Sequence, residues 1–447
     1  MHINFLLDSF QKNSNKNAII WNEKVFKYEF LIQSYYFWSD ELKKKSIESG
    51  NVVVIEGDFS PNAISLLLAL INKNAIIVPI TETVKSKKEE FIKISQAEVI
   101  IEINKEDRTK ITHTNNKSDN ILYSDLKSRN RPGLVLFSSG STGKSKGSVH
   151  DITYLLNKFK IKRHSLKTIT FLLYDHIGGF NTLFYILSNG GTVVTVQSRT
   201  PSNVLSLIEK YKVELLPTSP TFLNLILLHE EHKNYDLSSL KIITYGTEPM
   251  PKHTLERLNQ LFPNIKFTQT YGLSEVGILR SKSKSSNSLW VKVGGEDYQT
   301  RIVENLLQIK SKSSMLGYLN APSPFTSDGW FKTGDYVLQD GEYIKIIGRN
   351  SEIINVGGEK VYPQEVEDLL IQHPLVEEAL VYGEKNPIIG NIVCAKLKLC
   401  NVSDPNKTLN DIKTFCLNNI EKFKVPMKLS FSKSSLYSER FKKKRSF

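Results

Sequence analysis

The sequence predicts an α/β protein whose sheets are largely parallel. Runs such as Asn51-Val52-Val53-Val54-Ile55 and Ala75-Ile76-Ile77-Val78-Pro79 are continuously apolar, as strands buried on both faces are. Between them, Ile64 to Leu70 reads as a core helix, so strand and helix alternate. The same pattern returns over 168–173, 183–187 and 191–196, without an internal repeat. A chain of 447 residues suggests about three structural units.

The opening residues, Met1 to Asp8, lack a basic stretch and a long apolar core, so no signal peptide is expected. The longest apolar run, Ala63 to Ile71, falls far short of the roughly 20 residues that span a bilayer, so no membrane span is expected. Polar segments over 105–119 and 281–288 read as loops. Past residue 290 the texture changes to short strands and turns, such as Leu307-Gln308-Ile309 and Tyr343 to Ile347. After Gly348-Arg349 a segment with its own strand and helix signals runs into a tail rich in Lys and Arg. The composition shift near residue 350 divides the chain into 1–349 and 350–447. Three cysteines, Cys394, Cys400 and Cys416, form no C-x-x-C pair, which fits a reducing, cytoplasmic compartment better than a zinc ribbon or a disulfide framework.

Lys and Arg number 59 against 46 Asp and Glu, a net charge of +13. Such a surplus suits an anionic partner or a merely solvated basic surface. No basic patch interleaved with aromatic residues is present, so nucleic acid is not the expected partner.

The strongest local feature is Leu134-Val135-Leu136-Phe137 running straight into Ser138-Ser139-Gly140-Ser141-Thr142-Gly143-Lys144-Ser145-Lys146-Gly147. Small residues let backbone N–H groups close on phosphate oxygens, hydroxyls add donors, and lysines add charge. Gly143-Lys144-Ser145 matches the end of a Walker loop, but Ser138 stands where its first glycine belongs, and no helical pattern follows at once. From Phe137 to His150 the stretch resembles the phosphate loop of the adenylate-forming superfamily, which includes acyl-CoA synthetases, nonribosomal peptide adenylation domains and luciferases. Ser145 replaces the usual proline and Ser148 the usual valine.

The family's other motifs follow in order. Tyr245-Gly246-Thr247-Glu248-Pro249-Met250 resembles the segment that lines one face of the adenine, with Tyr245 in place of a glycine beside the acyl pocket. In Thr270-Tyr271-Gly272-Leu273-Ser274-Glu275, Tyr271 offers a flat face for an adenine and Glu275 a hard carboxylate for magnesium. Gly329-Trp330-Phe331-Lys332-Thr333-Gly334-Asp335 is similar to the family's ribose motif, and a carboxylate there can accept both ribose hydroxyls. In the stretch from Gly348 to Glu367, the resemblance implies that Arg349 contacts ribose or phosphate. It also puts Ser351 at the hinge and Gly357-Gly358 on a loop serving the thiol step.

The family's last motif carries a catalytic lysine. Aligning Leu436 with its leucine puts that lysine at Lys443, with Lys442 in place of a glycine and Tyr437 in place of a proline. A basic tail without this role is the alternative, and it would cripple the first half-reaction.

The resemblance implies a large N-terminal domain of two α/β subdomains plus a small β portion, followed by a small mobile α+β C-terminal domain. It implies ATP-dependent activation of a small-molecule carboxylic acid as acyl-AMP, and transfer to CoA or to phosphopantetheine on an acidic acyl carrier protein. ATP and magnesium would be held by Ser138 to Lys146, Gly246 to Glu248, Thr270 to Gly272, Ser274, Glu275, Asp335 and Arg349. The acyl pocket would involve Asp175, His176, Gly179 and Tyr245. Asp175 admits a second assignment, pairing with the amine of an amino acid, and a third, capping the following helix. Asp175-His176-Ile177-Gly178-Gly179 reads better as the acyl form.

Overall fold

The computed structural model describes residues 2–139, 144–295, 297–387, 389–400, 404–437 and 443, with the side chain of Ser139 left out. Among the described residues a large N-terminal domain carries three large sheets and a two-stranded one, Gly272–Leu273 with Gly277–Ile278, and a small C-terminal domain carries a fifth. In the first sheet the strands run in the order Lys266–Gln269, Ile242–Tyr245, Leu215–Thr218, Lys167–Ile169, Thr192–Val194, Asn17–Trp21, Lys24–Lys27. All but the last pair are parallel. The second sheet runs Gly317–Tyr318, Ser145–Asp151, Gly133–Ser139, Ile76–Ile80, Val52–Glu56, Val99–Ile103, Thr109–His113, parallel at its centre and antiparallel at both ends.

The two sheets share one core. Ile19 and Val193 of the first and Val53, Ile77 and Leu134 of the second pack with the helices Tyr28–Lys44, Pro61–Asn72 and Ile177–Ser188. On the other face of the second sheet, Val52, Val54, Ile76 and Val78 enter a separate core. Burial on both faces is why these strands read as unbroken apolar runs. The Pro61–Asn72 helix starts where it does because Ser60 Oγ accepts from the Ala63 amide at 3.1 Å and Pro61 follows immediately.

The texture change past residue 290 is a six-stranded antiparallel sheet, in the order Arg280–Ser283, Val291–Gly294, Tyr343–Arg349, Phe331–Asp340, Leu306–Ser311, Tyr298–Val303. The C-terminal domain packs Ile354–Val356, Glu359–Val361, Val376–Asn386, Gly390–Leu399 and Lys428–Phe431 against the helices Pro363–Leu370 and Pro405–Asn419 around its own core. Among the described residues no helix is long and apolar enough to cross a membrane.

Two expectations are corrected. The polar segment over 105–119 contains the edge strand Thr109–His113, and the segment over 281–288 begins inside the edge strand Arg280–Ser283. Thr109–His113 is solvent-facing on all but Ile111, and Arg280–Ser283 is polar throughout and half-buried at three of four positions, so no apolar alternation marks either. Among the described residues no helix follows Lys144 at once, as a Walker loop would require. Ser145–Asp151 is a strand, and it pairs antiparallel with Gly133–Ser139.

Lys158 joins the first half of the chain to the Tyr271 region by donating to the Ile278 carbonyl at 2.8 Å. Burial pushes this amine down to about 7, with Arg163 and Arg280 adding to the effect. Unfolded, it titrates near 10.5, so folding releases a proton between about 7 and 10.5. The penalty is full below that window and fades as pH rises through it. Thermal midpoints measured across pH should therefore show Lys158→Met losing ground to the parent protein as pH rises from 7 to 10.5. A difference independent of pH would contradict this.

Candidate active site

The candidate residues gather where parallel strands of the first sheet end, the usual place for a crevice in such sheets. Gly246 follows the strand Ile242–Tyr245, and its amide donates to the Thr218 carbonyl at 3.3 Å. A side chain here would meet Thr270 Oγ1 at 2.5 Å and its carbonyl at 2.8 Å, so only glycine fits. Thr247 is exposed and has φ +73°, a left-handed conformation that a β-branched residue avoids. Such strain persists where neighbours impose it. Glu248, the next residue, is anchored by accepting from the Thr221 amide at 2.8 Å and from its hydroxyl. Burial pushes the Glu248 carboxyl up, while Lys443 and Thr221 oppose it.

Thr270 donates to the Tyr245 carbonyl through its amide at 2.7 Å and its hydroxyl at 3.0 Å. These bonds hold the turn that delivers Tyr271, whose hydroxyl donates to Asp335 Oδ2 at 2.5 Å. Arg349 Nε lies 2.8 Å from Asp335 Oδ1, and its Nη1 donates to the Thr333 carbonyl at 2.6 Å. Asp335 is 5% exposed. Burial pushes its carboxyl up, opposed by the Arg349 charge and the Tyr271 hydroxyl. Each carboxylate oxygen carries two lone pairs, so both retain an acceptor site.

Glu275 Oε1 accepts from the Tyr318 hydroxyl at 2.7 Å, and among the described residues Oε2 accepts from none. Lys146 Nζ lies 5.4 Å from the centre of the Tyr318 ring. Asn320 completes this side. It accepts from the Gly147 amide at 3.1 Å and donates to the Ser145 carbonyl at 2.8 Å. Gly272 and Ser274 lie half-buried between Tyr271 and Glu275. Ser138 pairs in register with Lys146, and Lys144 is exposed. Gly140, Ser141, Thr142, Gly143 and the Ser139 side chain lie outside the described residues.

The expected acyl-pocket residues stand in different local settings. Asp175 Oδ2 accepts from the Thr81 amide at 3.2 Å and its hydroxyl at 2.7 Å. His176, not Asp175, caps the following helix, its Nδ1 accepting from Gly178 at 3.1 Å. A side chain at Gly179 would stand 1.9 Å from the Leu173 carbonyl, so close packing explains this glycine. Tyr245 is 1% exposed and faces the core of the first sheet.

In the C-terminal domain, Ser351 lies in a single 3₁₀ turn, Asn350–Glu352. Gly357 and Gly358 form the turn between Ile354–Val356 and Glu359–Val361, with open space around both. Lys443 pairs with the carboxylate of Glu367, which is fully buried, and its charge reaches Glu248. Lys442 and Lys444 lie outside the described residues.

The structure thus brings together Tyr271, Asp335 and Arg349, and separately Glu248 and Lys443. Sequence reasoning missed Tyr318 and Asn320, which lie outside the quoted motifs, and the partners Thr221 and Glu367.

A family model described as AMP-binding enzyme matches residues 8–294, and a second, the AMP-binding enzyme C-terminal domain, matches residues 365–442. The mitochondrial medium-chain acyl-CoA ligase of Mus musculus is 27% identical over 334 residues, covering 67% of this chain and 54% of the relative. The indoleacetate–CoA ligase of Aromatoleum aromaticum is 30% identical over 292 residues, covering 59% and 56%. The chain therefore spans a little over half the length of these curated relatives. The solved structure of an anthranilate CoA ligase with anthranoyl-AMP superposes with TM-score 0.82 at 20% identity, over 99% of this chain and 95% of that one. An o-succinylbenzoate CoA synthetase from Bacillus subtilis, solved with ATP and magnesium, gives 0.77 at 21% identity, over 99% and 98%.

Tyr271→Phe removes the donor to a buried carboxylate oxygen and should cost about 1–3 kcal/mol in urea unfolding. An unchanged midpoint would mean that the Tyr271–Asp335 bond does not hold in solution.

Proposed function

The chain belongs to the AMP-binding enzyme family, and on that premise we propose that it is an ATP-dependent acid–thiol ligase. The observation that carries this reading is the Tyr271–Asp335–Arg349 group. In this reading Tyr271 would supply an aromatic face for a base, Asp335 an acceptor site on each oxygen for vicinal ribose hydroxyls, and Arg349 a fixed cation beside them. ATP would stack its adenine on Tyr271, near Gly246, Thr247, Glu248 and Thr270, and set its ribose on Asp335. The residues from Ser138 to Lys146 would hold the β- and γ-phosphates.

Glu275 fits magnesium, because Mg²⁺ takes one or two carboxylates with substrate phosphates, and among the described residues Oε2 accepts no hydrogen bond. When bound, the ion would neutralise phosphate charge. Lys443 would leave Glu367 to bridge the acid and the α-phosphate, offsetting the repulsion between two anions. A carboxylate oxygen attacks the α-phosphorus, the bond to the β-phosphate oxygen breaks, and pyrophosphate leaves with that electron pair. Acyl-AMP remains.

The small domain, residues 350–447, would then turn about Ser351, withdrawing Lys443 and bringing in Gly357-Gly358. A thiolate attacks the acyl carbon, the carbon–oxygen bond to AMP breaks, and a thioester forms. CoA, or phosphopantetheine on an acidic carrier protein, would supply the thiol. The run Asp175-His176-Ile177-Gly178-Gly179, which reads better as the acyl form, supports an acid without an α-amine. Free Cys394, Cys400 and Cys416 fit a reducing, cytoplasmic setting.

A pyrophosphate-release screen over carboxylic acids, with and without CoA, tests the reading. Release with at least one acid, and a CoA thioester in its products, is expected. Lys443→Ala should lower the adenylation rate about 10²-fold or more while the circular dichroism stays unchanged. Full activity in that variant, or no release with any acid, would contradict the proposal.

A further inference from the structure

Thr218, Tyr245 and Gln269 stand side by side at the carboxyl ends of three adjacent parallel strands. Thr218 pairs in register with Tyr245, and Tyr245 with Gln269. In-register neighbours on adjacent strands point to the same face. Two residues earlier on that face stand Leu216, Ile243 and Phe267, all core. An apolar row therefore gives way to a polar one just before the chain enters Gly246 and Thr270.

All three polar residues are buried, at 2%, 1% and 5% exposure. Yet among the described residues Thr218 Oγ1, the Tyr245 hydroxyl and Gln269 Oε1 have no hydrogen-bond partner. Val, Phe and Leu would fill much the same space without stranding a polar atom. Unpaired buried polar atoms are uncommon in native folds, and three in one row call for a common cause. Burial raises the Tyr245 phenol, so it remains a neutral donor at any physiological pH. Gln269 Oε1 can only accept, Tyr245 can donate, and Thr218 can do either.

We propose that this row binds a hydroxyl group on the acyl part of the acid, so that the preferred substrates are hydroxy-substituted carboxylic acids. A hydroxyl both donates and accepts, which matches the mixed set that the row presents. The inference rests on the acid–thiol ligase reading and sharpens its substrate class. It also gives Tyr245 a role beyond narrowing the pocket.

The test uses matched acids: benzoate against para-hydroxybenzoate, hexanoate against omega-hydroxyhexanoate, and phenylpropanoate against its para-hydroxy form. Binding is measured by calorimetry with the full chain, and kcat/KM by pyrophosphate release. The hydroxylated member should lead by about tenfold or more in at least one pair. Tyr245→Phe, Gln269→Leu and Thr218→Val should each reduce that lead by about tenfold. Their thermal midpoints should not fall, because each removes a stranded polar atom. No preference in any pair, or a preference untouched by all three variants, overturns the inference. Pyrophosphate release without preference leaves the ligase reading standing while this inference falls. A hydroxyl preference in binding without pyrophosphate release does the reverse.

Discussion

The carboxylate of Asp335 sits almost out of reach of water and accepts from Tyr271 on one oxygen while Arg349 pairs with the other. Its partners come from different parts of the fold. Tyr271 leaves the last strand of the first sheet, Arg349 ends the strand that leads into the C-terminal domain, and Asp335 lies in the antiparallel sheet between them. A buried charge without partners costs several kcal/mol. Each partner thus fixes the other's place, and the crevice at the carboxyl ends of the parallel strands takes its shape from that constraint.

A second charged group is organised on the same logic. Lys443 lies with Glu367 of its own domain and within electrostatic reach of Glu248 across the crevice. A lysine held by carboxylates at rest can exchange them for a substrate carboxylate and a phosphate without entering an apolar place uncharged. The net charge of +13 acquires a local meaning here. The anions proposed to bind, nucleotide, pyrophosphate and acid, would each have a basic partner in Arg349, Lys144, Lys146 or Lys443.

Much of the fold and of the crevice was legible in the sequence. Strands buried on both faces announce themselves as unbroken apolar runs, and Asp335 and Tyr271 sit in motifs dense with glycine and aromatic residues. What escaped depends on long-range pairing. Asn320 meets the phosphate-loop strand 173 residues away, and Lys443 finds Glu367 at a separation of 76. The edge strand Thr109–His113 is polar because only Ile111 is even half-buried. The row of Thr218, Tyr245 and Gln269 exists only once strand register is known. Asp175 shows the opposite limit. Its sequence neighbours suggest a pocket, while Thr81, 94 residues away, donates twice to its Oδ2.

The claim on which the rest turns is that Asp335 is a ribose acceptor and not only a structural anchor. Calorimetric affinity for AMP and for its dideoxyribose analogue, in the parent protein and in Asp335→Asn, tests this directly. The account predicts that the parent prefers AMP by about tenfold or more and that Asp335→Asn loses most of that preference, whatever its effect on stability. Equal affinity of the parent for the two nucleotides would contradict it.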